Sequence, residues 1–242
     1  MSTPKGDGFV VGFAAAICLV CSLLLSATAS SLRERQDFNV ELDRKMNVLK
    51  AFGVDIHPGG KSLPVAQVAT YFEQNISELI LDGATGQPIE GLSSSQVPPK
   101  EFAARTKLPL YVWKEGGVVT KYAFPVSGKG LWSTIYGYLA LEKDLATVVG
   151  VTFYRHGETP GLGGECEKPW FQDNFRGKKV FAEGARQRFE VVKGKVSDRY
   201  PQGNDHAVDG ISGATLTGNG IAKFVNLDLD SYEKYFKLQR GS

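Results

Sequence analysis

Four glycines, two threonines and a leading aspartate share twelve residues near the end of the chain, in DGISGATLTGNG from Asp209 to Gly220. Two more glycine-rich segments precede it, SGKGLW from Ser127 to Trp132 and HGETPGLGGE from His156 to Glu165. Glycine admits close backbone approach and positive φ, and phosphate-binding and ring-stacking sites need both. Any one of these segments also reads as a plain turn; their coexistence points to one shared ligand site.

Several chemistries are disfavoured. GLGGEC lacks the strand, helix and spaced acid of a dinucleotide fingerprint, and no G-x-x-x-x-G-K-[ST] loop occurs, so neither hydride transfer nor nucleotide hydrolysis is expected. G-x-S-x-G is missing, and Ser212 does not sit on a nucleophile elbow. Three histidines at no metal-ligand spacing imply no metal site. His57 in DIHPGG reads as a turn residue, and His206 either lines the pocket of the C-terminal motif or is a solvated loop residue. His156, beside Glu158, could tune a bound redox group or be an ordinary loop histidine. Cys166, between Glu165 and Glu167, lacks the cationic surroundings of a reactive thiolate. A net charge of +2 without a long basic run excludes nucleic acid as a natural partner.

The elements that position these segments begin at the N-terminus. Gly8 to Ala29 is 22 residues without a charge, enough to cross a bilayer as a helix. Ala27-Thr28-Ala29 has the form of a signal-peptidase site, but the stretch exceeds a signal h-region and the basic flank is weak, so the reading is an anchor in membrane lipid. Cys18 and Cys21 share one face of that helix and read as small apolar residues. Lys5 before the span and Arg33 and Arg35 after it leave orientation undecided by charge. An amphipathic stripe of Phe38, Leu42, Met46, Leu49 and Phe52 then runs to Gly53, a connecting helix. Residues 63–76 read as a second helix and 83–100 as a turn-rich connection. From Leu110 the period changes: LYVW, Gly116-Gly117 and VVTKYAFPV read as a hairpin, and TIYGYLAL and VVGVTFY as strands. PWFQDNFRG reads as a helix, QRFEVVK as a strand, and the chain after Thr217 as a terminal helix. Strands grouped between helices predict an α+β fold. The domains are a tail (1–7), a transmembrane helix (8–30), a connecting helix (31–53) and one soluble domain (54–242).

With these elements in view the three segments carry a resemblance. Asp209, Ser212, Gly213, Ala214, Thr215 and Thr217 form D-x-x-S-G-A-T-x-T, which resembles the motif on which a flavin transferase esterifies FMN to the final threonine. HGETPGLGGE is similar to a second signature of the FMN-binding family shared by the C-subunit of the sodium-translocating NADH:quinone oxidoreductase and the G-subunit of a related electron-transport complex. PVSGKGLWSTIYGYLALEKD, LDRKMNVLKAFG and the single span look like the former in particular, and the resemblance covers nearly the whole chain.

The resemblance implies covalent FMN on Thr217, no catalytic residue beyond the flavin, and an electron relay toward ubiquinone with no NADH or quinone site of its own. It also implies partner subunits, one of them a second FMN-bearing membrane subunit, and a soluble domain on the periplasmic side of a bacterial inner membrane. The phosphoester needs an exposed hydroxyl, and Gly213, Ala214 and Gly218 are expected to leave Thr217 accessible, with helix amides after it favouring the phosphate. Ser212 and Thr215 shape the turn, while Asp209 serves the modification step. Leu131, Trp132, Leu162 and Thr159 are the expected ring contacts, although Trp132 reads equally as core. The alternatives are the corresponding subunit of the sister complex and a periplasmic module holding FMN non-covalently.

Overall fold

In the computed structural model, residues 6–182 and 184–240 are described. The first element, α1, is a helix from Asp7 to Ala51. The uncharged and amphipathic stretches form one uninterrupted helix because no glycine or proline falls between Phe13 and Phe52. It ends in a Schellman arrangement: Gly53, at φ 89°, donates to the Lys50 carbonyl, and Val54 to that of Leu49. Along its N-terminal half Phe9, Phe13, Leu19 and Leu23–Leu25 are exposed, and it is long and apolar enough to cross a membrane. The chain divides after Arg44 into two compact units. The last turns of α1 belong with the second, where Val48, Leu49 and Ala51 are fully buried.

That second unit is built on a six-stranded, wholly antiparallel sheet of order β2-β1-β3-β4-β5-β6. The strands are β1 (Ile76–Asp82), β2 (Pro88–Ile89), β3 (Lys107–Glu115), β4 (Val118–Lys129), β5 (Thr134–Glu142) and β6 (Val148–Arg155). A helix α2 (Val65–Asn75) precedes β1, and a short α3 (Pro99–Ala103) precedes β3. The Gly116-Gly117 hairpin forms as expected, both glycines at positive φ, the geometry a two-residue turn demands. The sequence reading missed β1. Ile76 leaves α2 directly in extended conformation and pairs with Trp113, so the apolar run ISELILD was masked by the helix before it.

After β6 come α4 (Pro169–Gln172), a hairpin of β7 (Phe181–Ala182) and β8 (Ala185–Arg186), then β9 (Glu190–Val191), α5 (Val196–Arg199) and β10 (Ala207–Val208), the last parallel to β9. The helix expected over PWFQDNFRG is α4 plus one 3₁₀ turn, cut off by Gly177 at φ 74°. The strand expected over QRFEVVK pairs only at Glu190 and Val191. The terminal helix α6 (Thr215–Arg240) begins two residues before Thr217 rather than after it.

One sheet face lies under α6, where Phe124 packs on Tyr232 and Phe236, with ring centroids 4.4 and 5.7 Å apart. Burying such an aromatic contributes roughly 1.5–3 kcal/mol. On the other face Tyr111 and Tyr138 meet edge to face at 5.8 Å, and Phe72 of α2 covers Tyr111. The start of α6 comes unusually close to the sheet. A Cβ on Gly128 would sit 2.3 Å from that of Phe224, and one on Gly220 would sit 2.4 Å from the Lys129 carbonyl. Further along, the buried Asp228 carboxylate accepts from the Arg105 guanidinium at 2.7 and 3.0 Å and from the Ser127 amide at 2.8 Å, binding helix to sheet.

Two outcomes follow. Gly220→Ala forces α6 off β4 and lowers the free energy of unfolding by about 1–3 kcal/mol, read from denaturant melts. Burial raises the Asp228 carboxyl to about 6 despite Arg105 and the amide. The folded chain therefore keeps a proton that the unfolded chain releases from about 3.8, and this stabilisation is full below that pH and lost as pH rises through about 6. Asp228→Asn should remove that slope, roughly 3 kcal/mol for the rise from 3.8 to about 6, measured as the change in the stability difference between pH 4 and 7.

Candidate functional site

The close approach of α6 to β4 brings the three glycine-rich segments together. The β4–β5 connection is the four-residue turn Gly130–Ser133, closed by the Gly130 amide on the Ser133 carbonyl at 2.8 Å. Its amides point inward: Leu131 donates to Glu158 Oε2 at 3.1 Å, and Trp132 and Ser133 to Oε1 at 2.9 and 3.0 Å. Successive N–H groups of this kind form a concave anion site, here filled by a carboxylate from the loop after β6. The fourth donor is the Thr217 hydroxyl, 2.7 Å from Oε2.

Glu158 is 5% exposed and Thr217 fully buried. Burial works against the Glu158 charge, but the Thr217 hydroxyl and the amides of Ser133, Trp132 and Leu131 outweigh it and hold the carboxyl below its ordinary value. Glycine is required around this group. A Cβ on Gly163 would lie 2.6 Å from Thr217 Oγ1 and 2.8 Å from Glu158 Oε2, and one on Gly130 would lie 2.7 Å from Oε1.

A cleft of about 30 Å³ opens over these atoms. Its floor is Glu158, Gly163, Ala214 and Thr217; Leu131, Trp132, Thr159, Leu162 and Gly213 form its walls. Leu131, Trp132 and Leu162 are 41, 68 and 44% exposed, so Trp132 belongs to the rim and not to the core. A recess of about 440 Å³ lies along α2, but Ala66, Gln67, Thr70, Tyr71 and Gln74 line it without an ionisable group except the tyrosine phenol, and the chemistry lies at the smaller cleft.

Helix α6 starts at the cleft. Gly218 donates to the Ala214 carbonyl in its first hydrogen bond, so the amides of Thr215, Leu216 and Thr217 have no carbonyl one turn back, and Ala214 has no side-chain oxygen to cap them. Uncapped amides with the helix dipole behind them suit an anion.

Some expected residues sit elsewhere. Thr217 is not accessible through Gly213, Ala214 and Gly218: because α6 begins at Thr215, Thr217 turns inward, while Gly218 packs on Val191 and Thr215 and Leu216 face out. Asp209 does not line the cleft; it accepts from the Val196 amide at 2.7 Å and fixes the turn before α5. Ser212 is exposed beside Gly213, which takes φ 72°. His156 accepts from the Glu158 amide through Nδ1 at 3.2 Å and turns Nε2 toward Glu167, so it shapes the loop without lining the cleft. His206 bonds the Lys179 carbonyl, and His57 is an exposed turn residue. Cys166 is buried, and burial pushes its thiol up to about 12, so it is inert. The sequence reading overlooked Ser133, whose amide holds Glu158 and whose hydroxyl accepts from the Gly157 amide at 2.6 Å. Its place directly after GKGLW was the available signal.

Residues 130–230, from this turn into α6, match the FMN-binding domain family. The chain is 38% identical to the C-subunit of the Na(+)-translocating NADH-quinone reductase of Vibrio vulnificus, over 91% of this chain and 88% of that one. It is 35% identical to the same subunit of the Yersinia pestis reductase, over 87% and 84%. The crystal structure of the Parabacteroides distasonis C-subunit superimposes with a TM-score of 0.73 at 30% identity, covering 85% of this chain and 96% of that one. The chain thus belongs to the family of C-subunits of the Na(+)-translocating NADH-quinone reductase.

Proposed function

We propose that this chain is the membrane-anchored flavoprotein subunit of a sodium-pumping NADH:ubiquinone reductase and relays electrons through FMN held in phosphoester linkage on Thr217. The observation that carries the reading is the position of Thr217. The last threonine of D-x-x-S-G-A-T-x-T lies in the first turn of α6, inside the FMN-binding match, on the floor of a cleft with apolar walls. The residues fit the cofactor. The uncapped amides of Thr215 and Leu216 would receive the phosphate. The cleft is too small for an isoalloxazine ring, which would lie across the exposed Leu131, Trp132 and Leu162 with an edge toward solvent, near the polar groups of Thr159.

Bound FMN supplies one-electron chemistry, and a covalent tether suits a carrier whose site is this shallow. The chain's own residues would bind the phosphate and orient the ring. Ser212, Gly213, Ala214 and Thr215 give the attachment turn its shape, Asp209 holds it from behind, and Glu158 with His156 sets the loop opposite. Residues 8–30 anchor the chain in lipid and the helix beyond them connects; because Val48, Leu49 and Ala51 are buried in the second unit, the soluble domain on the periplasmic side of the inner membrane begins at Lys45 and not at residue 54. Its partners are the other subunits of the complex, a second FMN-bearing membrane subunit among them, and a flavin transferase acts during maturation. The named relatives favour this complex over its sister.

Chain produced together with a flavin transferase should give a fluorescent band on a denaturing gel and an FMN mass increment on the peptide containing Thr217. Thr217→Ala should lose both; a fluorescent Thr217→Ala band defeats the attachment site, and a wild-type chain that sheds its flavin on denaturation supports a non-covalent module. For orientation, Lys193 is exposed and Cys166 is buried. Lys193→Cys in intact cells should therefore react with a membrane-impermeant maleimide; labelling only after lysis would place the domain in the cytoplasm.

A further inference from the structure

A buried carboxylate that accepts a hydroxyl proton at 2.7 Å is more than the turn around it needs, because three amides alone would already satisfy much of its acceptor capacity. We propose that Glu158 is the residue on this chain that orients the Thr217 hydroxyl and takes its proton when the phosphoester forms. The inference rests on the attachment of FMN to Thr217 proposed above.

The chemistry requires such a group. A threonine hydroxyl is a weak nucleophile at neutral pH, and a neighbouring base activates it. In phosphoryl transfer a carboxylate that accepts the attacking hydroxyl's proton is a recurrent solution. His156 turns away from Thr217 and Asp209 bonds the Val196 amide, while Glu158 touches Oγ1 directly. The Thr217 hydroxyl already donates to Oε2, so its oxygen lone pairs remain for phosphorus. Gly163 packs directly against both atoms, where even a Cβ would stand 2.6 Å from Oγ1 and 2.8 Å from Oε2, so a phosphoryl donor reaches the buried Thr217 once Leu131 and Leu162, the exposed side chains that wall the cleft, swing aside.

The step balances without any oxidation or reduction. The phosphoryl donor must be FMN activated as a phosphoric anhydride and presented by a separate transferase. The Thr217 Oγ1–phosphorus bond forms, the anhydride P–O bond breaks, the second phosphate leaves as a monoester, and the hydroxyl proton passes to Glu158 Oε2. Glu158, then neutral, donates to the new phosphodiester and avoids setting two anions side by side. The three turn amides hold the carboxylate in place throughout.

The test uses full-length chain with transferase and flavin adenine dinucleotide, and follows the modified fraction of the Thr217 peptide by mass spectrometry over time. Glu158→Gln, nearly isosteric, turns an NH2 toward two of the four donors and should melt below the wild type, and where folded it should load at least about 100-fold more slowly, within the range for loss of a general base. Glu158→Asp keeps a charge for the amides but draws the carboxylate back from Oγ1. It should fold even where the glutamine variant does not, and should load at least about tenfold more slowly. Loading at the wild-type rate by either folded variant overturns the proposal. Faster loading overturns it too, since it would mean that the Glu158–Thr217 hydrogen bond keeps the hydroxyl closed off. A wild-type chain that never gains the increment on Thr217 instead defeats the attachment reading itself.

Discussion

A single buried negative charge organises the functional end of this molecule. The Glu158 carboxylate has left water, a change that costs several kcal/mol unless it is repaid by hydrogen bonds, and its four donors come from two other segments of chain. Three are backbone amides of the β4–β5 turn and the fourth is the hydroxyl at the start of α6. None of the three segments could keep this conformation alone. Without the carboxylate the turn amides would lose their acceptor, the loop after β6 would hang on the bond from the Gly157 amide to the Ser133 hydroxyl, and Thr217 would lose its hydrogen-bond partner. The glycines at 130 and 163 are the complement of this charge, since a side chain at either position would occupy the same space.

The sheet and α6 supply the rigidity that the charge cluster requires. The aromatic packing of Phe124 with Tyr232 and Phe236, and the Asp228–Arg105 pair, fix the middle and end of α6 against β3 and β4. The first turn of the helix is then delivered to the mouth of the β4–β5 hairpin. Leu131 and Trp132 extend from that same hairpin, so one turn both grips the carboxylate and presents an apolar surface. Mixed demands of this sort suit a flavin, whose phosphate needs donors and whose ring needs flat apolar neighbours.

Much of this was legible from residue types. The three glycine-rich segments pointed to a shared site because turns alone do not require so many small residues near hydroxyls and an acid, and eight of the residues that the family resemblance then singled out line the cleft. The hairpin at Gly116-Gly117 and the strands around it followed from alternation. What stayed hidden was set by tertiary contact. The inward turn of Thr217 depends on where α6 starts, and Thr215 and Leu216 give no local signal that the helix has already begun. The role of Ser133 lies in its backbone amide, which no side-chain pattern reports. Strand β1 follows α2 without a turn residue between them, so the change of period had no punctuation, and Asp209 resembles a site ligand in sequence while its carboxylate braces a turn.

Helix α6 serves the cleft with its first turn and the core with the rest, and no loop separates the two. With 3.6 residues per turn, adding or removing one residue between Thr217 and Asp228 would swing everything on one side of the change by about 100° relative to the other. Either the aromatic wedge or the hydroxyl would then point the wrong way. This stretch is consequently intolerant of indels, and chains of this architecture must accommodate differences in length elsewhere, with the irregular segment between β2 and β3 the natural place to do so.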